Sequence, residues 1–172
     1  MRKLIIIPTL VSSFRILFLP LFLCLYSSVN LIPCLVLLGF SAATDYFDGY
    51  IARKLKASSR FGGYYDASTD FVFVFGVFAF FSFKGDYPSW LLILIAESFV
   101  LFLVSSFLLK KMYDPVGKYT GSALYIGIVL TLIFPSQAVF SFVEFAFLTF
   151  FLVSLGSHAV QFVRKATRPA LN

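Results

Sequence analysis

Long apolar runs alternate with short polar breaks along almost the whole chain. A helix needs about 20 mainly apolar residues to cross a bilayer. By that measure the sequence predicts six spans, over roughly 12–28, 31–53, 61–83, 88–109, 119–134 and 137–163. Residues 2–9 precede the first span and are predicted to form a short amphipathic helix in the membrane interface. We therefore expect an all-α membrane protein in which residues 1–172 form a single domain.

The composition supports a lipid environment for these runs. Of the 172 residues, 60% are hydrophobic, 24 are phenylalanine and only 13% are charged. Soluble domains are about 45–50% apolar, and a domain of this size has too little polar surface to cover so many apolar side chains. We therefore expect membrane lipids to contact the outer surface of the protein.

The basic residues predict how the spans are oriented. When alternate loops are assigned to alternate sides, all but one of the 14 Lys and Arg residues fall on one side, and Lys84 falls on the other. Cytoplasmic loops are enriched in Lys and Arg, so both termini and the loops after spans two and four are predicted to be cytoplasmic. The net charge of +6 then reflects this topology and attraction to anionic lipids. Nucleic acid is not expected as a partner, because no soluble basic domain is predicted to hold it.

Four of the eight acidic residues lie in one short segment, at Asp45, Asp48, Asp66 and Asp70. A charge at the bilayer centre costs about 2.5–3.5 kcal/mol, so these carboxylates need compensation. Residues three or four apart share a helix face. The first pair therefore projects together from the end of span two, and the second pair from the start of span three. Such oxygen ligands suit hard divalent cations, and four of them predict a two-cation site that clamps a phosphate.

Small and basic residues around the acids fit a site that handles phosphate. Gly49 and Gly62 lie inside predicted helices, where glycine costs about 1 kcal/mol relative to alanine. Their presence indicates close approach by a ligand or by another backbone. Ala52 places only a small side chain on the same face of span two. Arg53 can form two parallel hydrogen bonds to a phosphate or a carboxylate.

These residues form a spaced motif with eight defined positions. It reads Asp45-x2-Asp48-Gly49-x2-Ala52-Arg53-x8-Gly62-x3-Asp66-x3-Asp70. At average residue usage a random starting point would match it about once in 10^10. The motif has the same form as the signature of the CDP-alcohol phosphotransferase family, D-x2-D-G-x2-A-R-x8-G-x3-D-x3-D, and the chain therefore resembles that family.

The resemblance implies a fold, a reaction and roles for the motif residues. Members have six spans with an N-terminal interfacial helix, form homodimers, and transfer a phosphatidyl group from CDP-diacylglycerol to a small alcohol with release of CMP. By this resemblance, two cations, Mg²⁺ or Mn²⁺, bind to Asp45, Asp48, Asp66 and Asp70, and Asp70 is also the general base. The residues expected to contact CDP are Asp45, Asp48, Gly49, Ala52, Arg53, Gly62 and Asp66.

The acceptor alcohol is left open by the motif. Arg15, Arg60 and Lys118 are expected on the cytoplasmic side, where they would bind a phosphate on the acceptor or act as interfacial anchors. A phosphate site favours glycerol 3-phosphate or an inositol phosphate. Segment 7–16 resembles the N-terminal stretch of phosphatidylglycerophosphate and cardiolipin synthases, whereas residues 66–71 differ from the Asp-Pro-Leu-Ala-Asp-Lys of those enzymes. We expect glycerol 3-phosphate as the acceptor, and the alternatives are an inositol phosphate, inositol, serine and phosphatidylglycerol.

A function of another class, a divalent-cation channel or transporter, also uses carboxylates inside a membrane. Transporter sites lie near the bilayer midplane, whereas these four aspartates are predicted near one membrane face, which favours the enzyme. Glu97, Glu144 and His158 are also predicted within spans. We expect His158 to be a hydrogen-bonded packing residue, and the sequence assigns no role to the two glutamates.

Overall fold

A computed structural model describes the protein over residues 2–28, 31–54, 60–109 and 117–167, and its side chains over 15–28, 31–44, 62–106 and 119–160. In this part of the chain the backbone forms six α-helices and no strand, which confirms the all-helical prediction. The helices are α1 (Arg2–Ser27), α2 (Leu31–Lys54), α3 (Arg60–Lys84), α4 (Trp90–Leu109), α5 (Gly117–Ile133) and α6 (Gln137–Thr167).

Most helices begin and end close to the predicted spans. The span expected over 61–83 corresponds to α3, and the span expected over 119–134 corresponds to α5. The first helix differs, because α1 is continuous over 26 residues. Residues 2–9 and the expected span 12–28 thus belong to one helix, and a separate N-terminal helix is not found. α1 continues through Pro8 and Pro20, although a proline has no N–H to donate within a helix.

Helix α3 forms the centre of the bundle. It packs against α1, α4 and α5, while α1 also packs along α2. Phe73 of α3 has no exposed surface. Its ring meets Phe22 of α1 edge to face, with 6.0 Å between centroids, and stacks at 5.9 Å on Tyr125 of α5. Aromatic rings bury large areas in defined geometries, so these contacts determine which face of α3 meets each neighbour.

A glycine cap ends α3 after Lys84. Gly85 has a φ of 89°, a left-handed conformation that residues with a Cβ rarely adopt. Its N–H donates to the Ser82 carbonyl at 3.0 Å, and the Asp86 N–H donates to the Phe81 carbonyl at 3.0 Å. Together these two bonds are the Schellman arrangement that closes a helix, and they turn the chain back towards α4.

Tyr87 anchors the same connection to α5. Its side chain is buried, and its hydroxyl lies 2.6 Å from Thr131 Oγ1. The Thr131 hydroxyl donates to the Gly127 carbonyl at 2.8 Å, so the Tyr87 hydroxyl is the donor in the bond between the two side chains. Burial raises the pKa of Tyr87 to about 12, because the phenolate form would lose its hydration.

A buried polar contact joins α4 to α6. His158 Nδ1 lies 3.0 Å from Ser105 Oγ, and both side chains are buried. This contact agrees with the interpretation of His158 as a hydrogen-bonded packing residue. Buried polar groups without partners are costly, so the pair also favours one rotational setting of α6 against α4.

Large apolar side chains face outward around the bundle. Phe83 is 90% exposed, Ile32 is 74% exposed and Phe145 is 72% exposed. By length and composition, two helical segments within the described residues are able to cross a membrane, Gly62–Lys84 and Gln137–Val160. Apolar side chains on the outside of helices are the surface that contacts lipid in a membrane protein.

Candidate active site

Two of the four predicted ligand carboxylates meet a buried arginine. Asp66 and Asp70 lie one turn apart on α3, so their side chains project from the same face. Arg15 of α1 places Nη1 3.1 Å from Asp66 Oδ1 and also in contact with Asp70 Oδ1. The partners are 51 and 55 positions apart in the sequence. Packing of α1 along α3 is therefore what brings them together.

A glycine lies where α1 packs closely on α3. Gly76 of α3 faces Leu19 of α1, and a Cβ at position 76 would lie 2.5 Å from Leu19 Cδ2. Carbon atoms in ordinary contact are about 3.5–4.0 Å apart, so a larger residue does not fit without movement. Leu19 lies one turn after Arg15, and the two side chains share a face of α1. The face of α1 that packs on Gly76 therefore also carries the guanidinium to the carboxylates.

The ion pairs lie at the boundary between the protein interior and its surface. The side chain of Arg15 is 1% exposed, whereas those of Asp66 and Asp70 are 36% and 33% exposed. A buried charge is strongly unfavourable unless it is paired. Arg15 is therefore stabilised in the interior by these carboxylates, while the carboxylates keep access to solvent and to ligands.

A cavity of about 500 Å³ opens beside this cluster, and Arg15 and Asp70 form part of its wall. The wall also carries hydroxyl groups, from Ser41, Ser98, Thr120, Ser122 and Tyr125. Ser41 Oγ and Tyr125 Oη lie 3.0 Å apart. The remaining wall is mainly apolar and includes the rings of Phe71 and Phe99, which stack at 4.1 Å. The space next to Asp70 thus has polar groups at some places and surface suited to hydrocarbon at others.

Several predicted site residues lie outside the part of the chain whose side chains are described. They are Asp45, Asp48, Gly49, Ala52 and Arg53 in α2, Arg60 at the start of α3, and Lys118 in α5. Gly62 is described and is half-buried on α3, one turn before Asp66. The roles predicted for these residues stay predictions, as does the predicted contact of Arg15 with an acceptor phosphate.

The carboxylate pair has the chemistry of a partial metal site. Among the described residues there is no group of three or more His, Cys, Asp or Glu side chains able to hold a metal ion. Asp66 and Asp70 nevertheless converge on one cationic group, Arg15 Nη1. Carboxylate oxygens are the ligands that Mg²⁺ and Mn²⁺ prefer. The pair therefore fits a divalent cation as two of its ligands.

Two features of the site were not predicted from the sequence. The first is the pairing of Arg15 with Asp66 and Asp70, for which a signal existed, since an arginine inside a long apolar run requires an acidic partner. The second is the hydrogen bond between Ser41 and Tyr125. These residues are 84 positions apart, and no local pattern links them.

Known proteins resemble this chain over most of its length. The model of a family described as CDP-alcohol phosphatidyltransferase matches residues 5–155. A CDP-diacylglycerol--glycerol-3-phosphate 3-phosphatidyltransferase from Aquifex aeolicus (strain VF5) is 34% identical over 121 residues, which cover 66% of this chain and 68% of that protein. A protein of the same name from Yersinia pestis (strain Pestoides F) is 33% identical over 132 residues, covering 73% of this chain and 70% of that protein. No solved structure matches the chain.

Proposed function

This chain belongs to the CDP-alcohol phosphatidyltransferase family, and from that premise we propose that it transfers a phosphatidyl group from CDP-diacylglycerol to glycerol 3-phosphate and releases CMP. Family membership and the names of its relatives make it a transferase of phospholipid biosynthesis. One structural observation supports the assignment of this chemistry to particular residues: Asp66 and Asp70 converge beside a cavity that Asp70 lines.

Asp70 is the residue to which we assign the proton transfer. Its carboxylate lies in the cavity wall, where it can accept the proton of an acceptor hydroxyl. The hydroxyl oxygen then forms a bond to the phosphorus that carries the diacylglycerol. The bond between that phosphorus and the oxygen of CMP breaks, and CMP leaves with its electron pair. The phosphatidyl group ends on the acceptor, and the proton ends on Asp70 until solvent removes it.

The proposed cation site uses all four motif aspartates, Asp45, Asp48, Asp66 and Asp70, to hold two divalent cations, Mg²⁺ or Mn²⁺. Such ions, when bound, stabilise negative charge on the phosphoryl oxygens and on the departing CMP. The convergence of the last two carboxylates on one cationic atom supports this assignment. The residues proposed to contact CDP are Asp45, Asp48, Gly49, Ala52, Arg53, Gly62 and Asp66.

Glycerol 3-phosphate is the proposed acceptor because both relatives described above carry this substrate in their names. Arg60 and Lys118 are the candidates for binding its phosphate. Arg15 is a third candidate, but its guanidinium contacts Asp66 and Asp70. A phosphate bound there would share the guanidinium with these carboxylates.

The proposed setting is a single membrane domain over residues 1–172, with six spans, cytoplasmic termini and a cytoplasmic active site, assembled as a homodimer. The exposed apolar side chains support the membrane setting. Lys84, the one basic residue assigned to the opposite side, ends α3. It lies about 21 Å along the helix axis from Asp70, at 1.5 Å per residue, a separation that supports an active site near one membrane face.

The reaction can be tested by measuring CMP release from the purified protein in lipid nanodiscs. Each assay contains CDP-diacylglycerol, Mg²⁺ or Mn²⁺, and one acceptor from a panel of glycerol 3-phosphate, an inositol phosphate, inositol, serine and phosphatidylglycerol. We expect glycerol 3-phosphate to give the highest rate. Asp70→Asn should lower that rate by about 10²- to 10⁴-fold, the contribution of a positioned general base, without loss of CDP binding.

Asp86→Asn is the matched control, because it removes a carboxylate from the turn just beyond the opposite end of α3. This variant should release CMP at the wild-type rate. If no acceptor supports CMP release, the proposed reaction is wrong, and a cation flux through the protein would then favour the channel alternative. If Asp70→Asn releases CMP at the wild-type rate, Asp70 is not the base.

A further inference from the structure

Arg15 is the only Lys or Arg whose side chain is buried among the described side chains. It lies outside the eight-position motif, and the family resemblance assigns it no role in the chemistry. Yet its Nη1 contacts the two motif carboxylates that α3 contributes, Asp66 and Asp70. It also lines the cavity beside them.

We propose that Arg15 is a built-in counter-ion that holds Asp66 and Asp70 in their converging positions before a divalent cation binds, and that competes with that cation for their oxygens. This inference rests on the proposed function, because it concerns the same site. Arg15 is thus a positioning residue, since it acts on the reaction through the two carboxylates.

The first step of the argument is the repulsion between the carboxylates. Asp66 Oδ1 and Asp70 Oδ1 both contact the same nitrogen atom, so the two oxygens lie within about 6 Å of each other. Two like charges at that separation, only about one-third exposed, repel each other appreciably at the effective dielectric constant of a protein boundary. A cation between them removes that repulsion and keeps both side chains turned towards the same point.

The second step concerns where this cation comes from. Arg15 reaches the carboxylates from another helix, and its side chain is almost fully withdrawn from solvent. Guanidinium is always charged and has a fixed set of donors, so the site holds a positive charge at every physiological pH. The position of that charge is set by the packing of α1 on α3, as the tight contact between Leu19 and Gly76 indicates.

The third step is a consequence for metal binding. Nη1 contacts the oxygens that a divalent cation would use, and its charge repels that cation. A neutral residue at position 15 should therefore raise the affinity for the cation. The same substitution should lower the stability of the cation-free protein. Loss of a residue that only packs would lower both the cation affinity and the stability of the cation-free protein. Opposite changes in these two quantities therefore identify Arg15 as a counter-ion.

The experiment compares the wild type with Arg15→Gln and Arg15→Lys in nanodiscs. The first readout is the Tm after treatment with a chelator, and the second is the Kd for Mn²⁺, measured from the paramagnetic resonance of free Mn²⁺. We expect Arg15→Gln to lower the metal-free Tm and to bind Mn²⁺ about tenfold more tightly. Arg15→Lys keeps the charge, so its Mn²⁺ affinity should stay near that of the wild type.

Lys84→Met is the matched control, because it removes one positive charge from the far end of α3. Lys84 Nζ lies 4.4 Å from the centroid of the Tyr26 ring, so this variant also loses a packed cation and can lower the Tm. Its Mn²⁺ affinity should equal that of the wild type. A tenfold gain in Lys84→Met would mean that net charge alone controls cation binding, and it would overturn the proposal.

Other results would also overturn it. If Arg15→Gln binds Mn²⁺ with wild-type or weaker affinity, Arg15 does not compete with the cation. If its only defect is a raised KM for glycerol 3-phosphate, Arg15 binds the acceptor phosphate. Should Arg15→Gln unfold without cation, its Mn²⁺ affinity is measured on protein purified with Mn²⁺ and then dialysed to graded Mn²⁺ concentrations. Failure of the wild type to release CMP bears on the proposed function alone, since Tm and Mn²⁺ affinity need no turnover.

Discussion

The contact between Gly76 and Leu19 allows a test of how closely α1 packs on α3. In Gly76→Ala the new methyl would lie 2.5 and 2.8 Å from the two Leu19 methyl groups and 3.3 Å from Leu19 Cγ. These distances fall short of an ordinary carbon–carbon contact by up to about 1 Å. Either Leu19 must leave its rotamer or α1 must move away from α3.

The expected size of the effect follows from two opposing contributions. Overpacking of this kind costs about 1–3 kcal/mol. Replacing glycine by alanine inside a helix returns about 1 kcal/mol. We therefore expect Gly76→Ala to change the free energy of unfolding by between about zero and 2 kcal/mol in the destabilising direction. In a Leu19→Ala background the clash is absent, so the same substitution should stabilise the protein.

The assay is a double-mutant cycle on Gly76→Ala and Leu19→Ala, with unfolding in mixed micelles followed by circular dichroism. The coupling energy should be about 1–3 kcal/mol. Gly39→Ala is the control, because a Cβ at position 39 of α2 meets nothing within 4 Å. CMP release is a second readout, since withdrawal of α1 would move Arg15 away from its carboxylates. Substitutions at sites that do not touch are additive to within about 0.5 kcal/mol. A coupling energy below that value would refute the close approach of Leu19 to Gly76.

Two further predictions concern the connection between α3 and α4. Thr131→Val should destabilise the protein by about 1–3 kcal/mol, because it leaves the buried Tyr87 hydroxyl without its hydrogen-bond partner at 2.6 Å. Thermal unfolding measures this loss, and an unchanged Tm would contradict the hydrogen bond. The pKa of Tyr87, raised by burial from 10.0 to about 12, means that the unfolded chain releases this proton first. Stability should therefore fall as the pH rises from about 10 to about 12, by about 2–3 kcal/mol in total. In Tyr87→Phe the free energy of unfolding should fall less over this pH range. An equal fall would mean that other titrating groups cause the pH dependence.

The sequence alone predicted the helices because their signal is local. A run of about 20 apolar residues bounded by polar or proline-containing breaks defines a span without knowledge of its neighbours, and α3 and α5 begin and end within two residues of their predicted bounds. The separate N-terminal helix predicted over residues 2–9 is not confirmed, because these residues continue into the same helix as the first predicted span. In the structure α1 continues through Pro8, although a proline has no N–H to donate within a helix.

The shared face of Asp66 and Asp70 was also predictable, because residues four apart on a helix always project together. The need of Arg15 for an acidic partner was signalled by its place in an apolar run, but which carboxylates it would meet was not. Arg15 reaches them across 51 and 55 positions, and Ser41 reaches Tyr125 across 84. Helical periodicity predicts which residues lie on the same face of one helix. It does not predict which surface of another helix packs against that face. That choice depends on the packing of whole helices, on large aromatic rings around α3 and on a glycine that admits α1, and only the tertiary structure decided it.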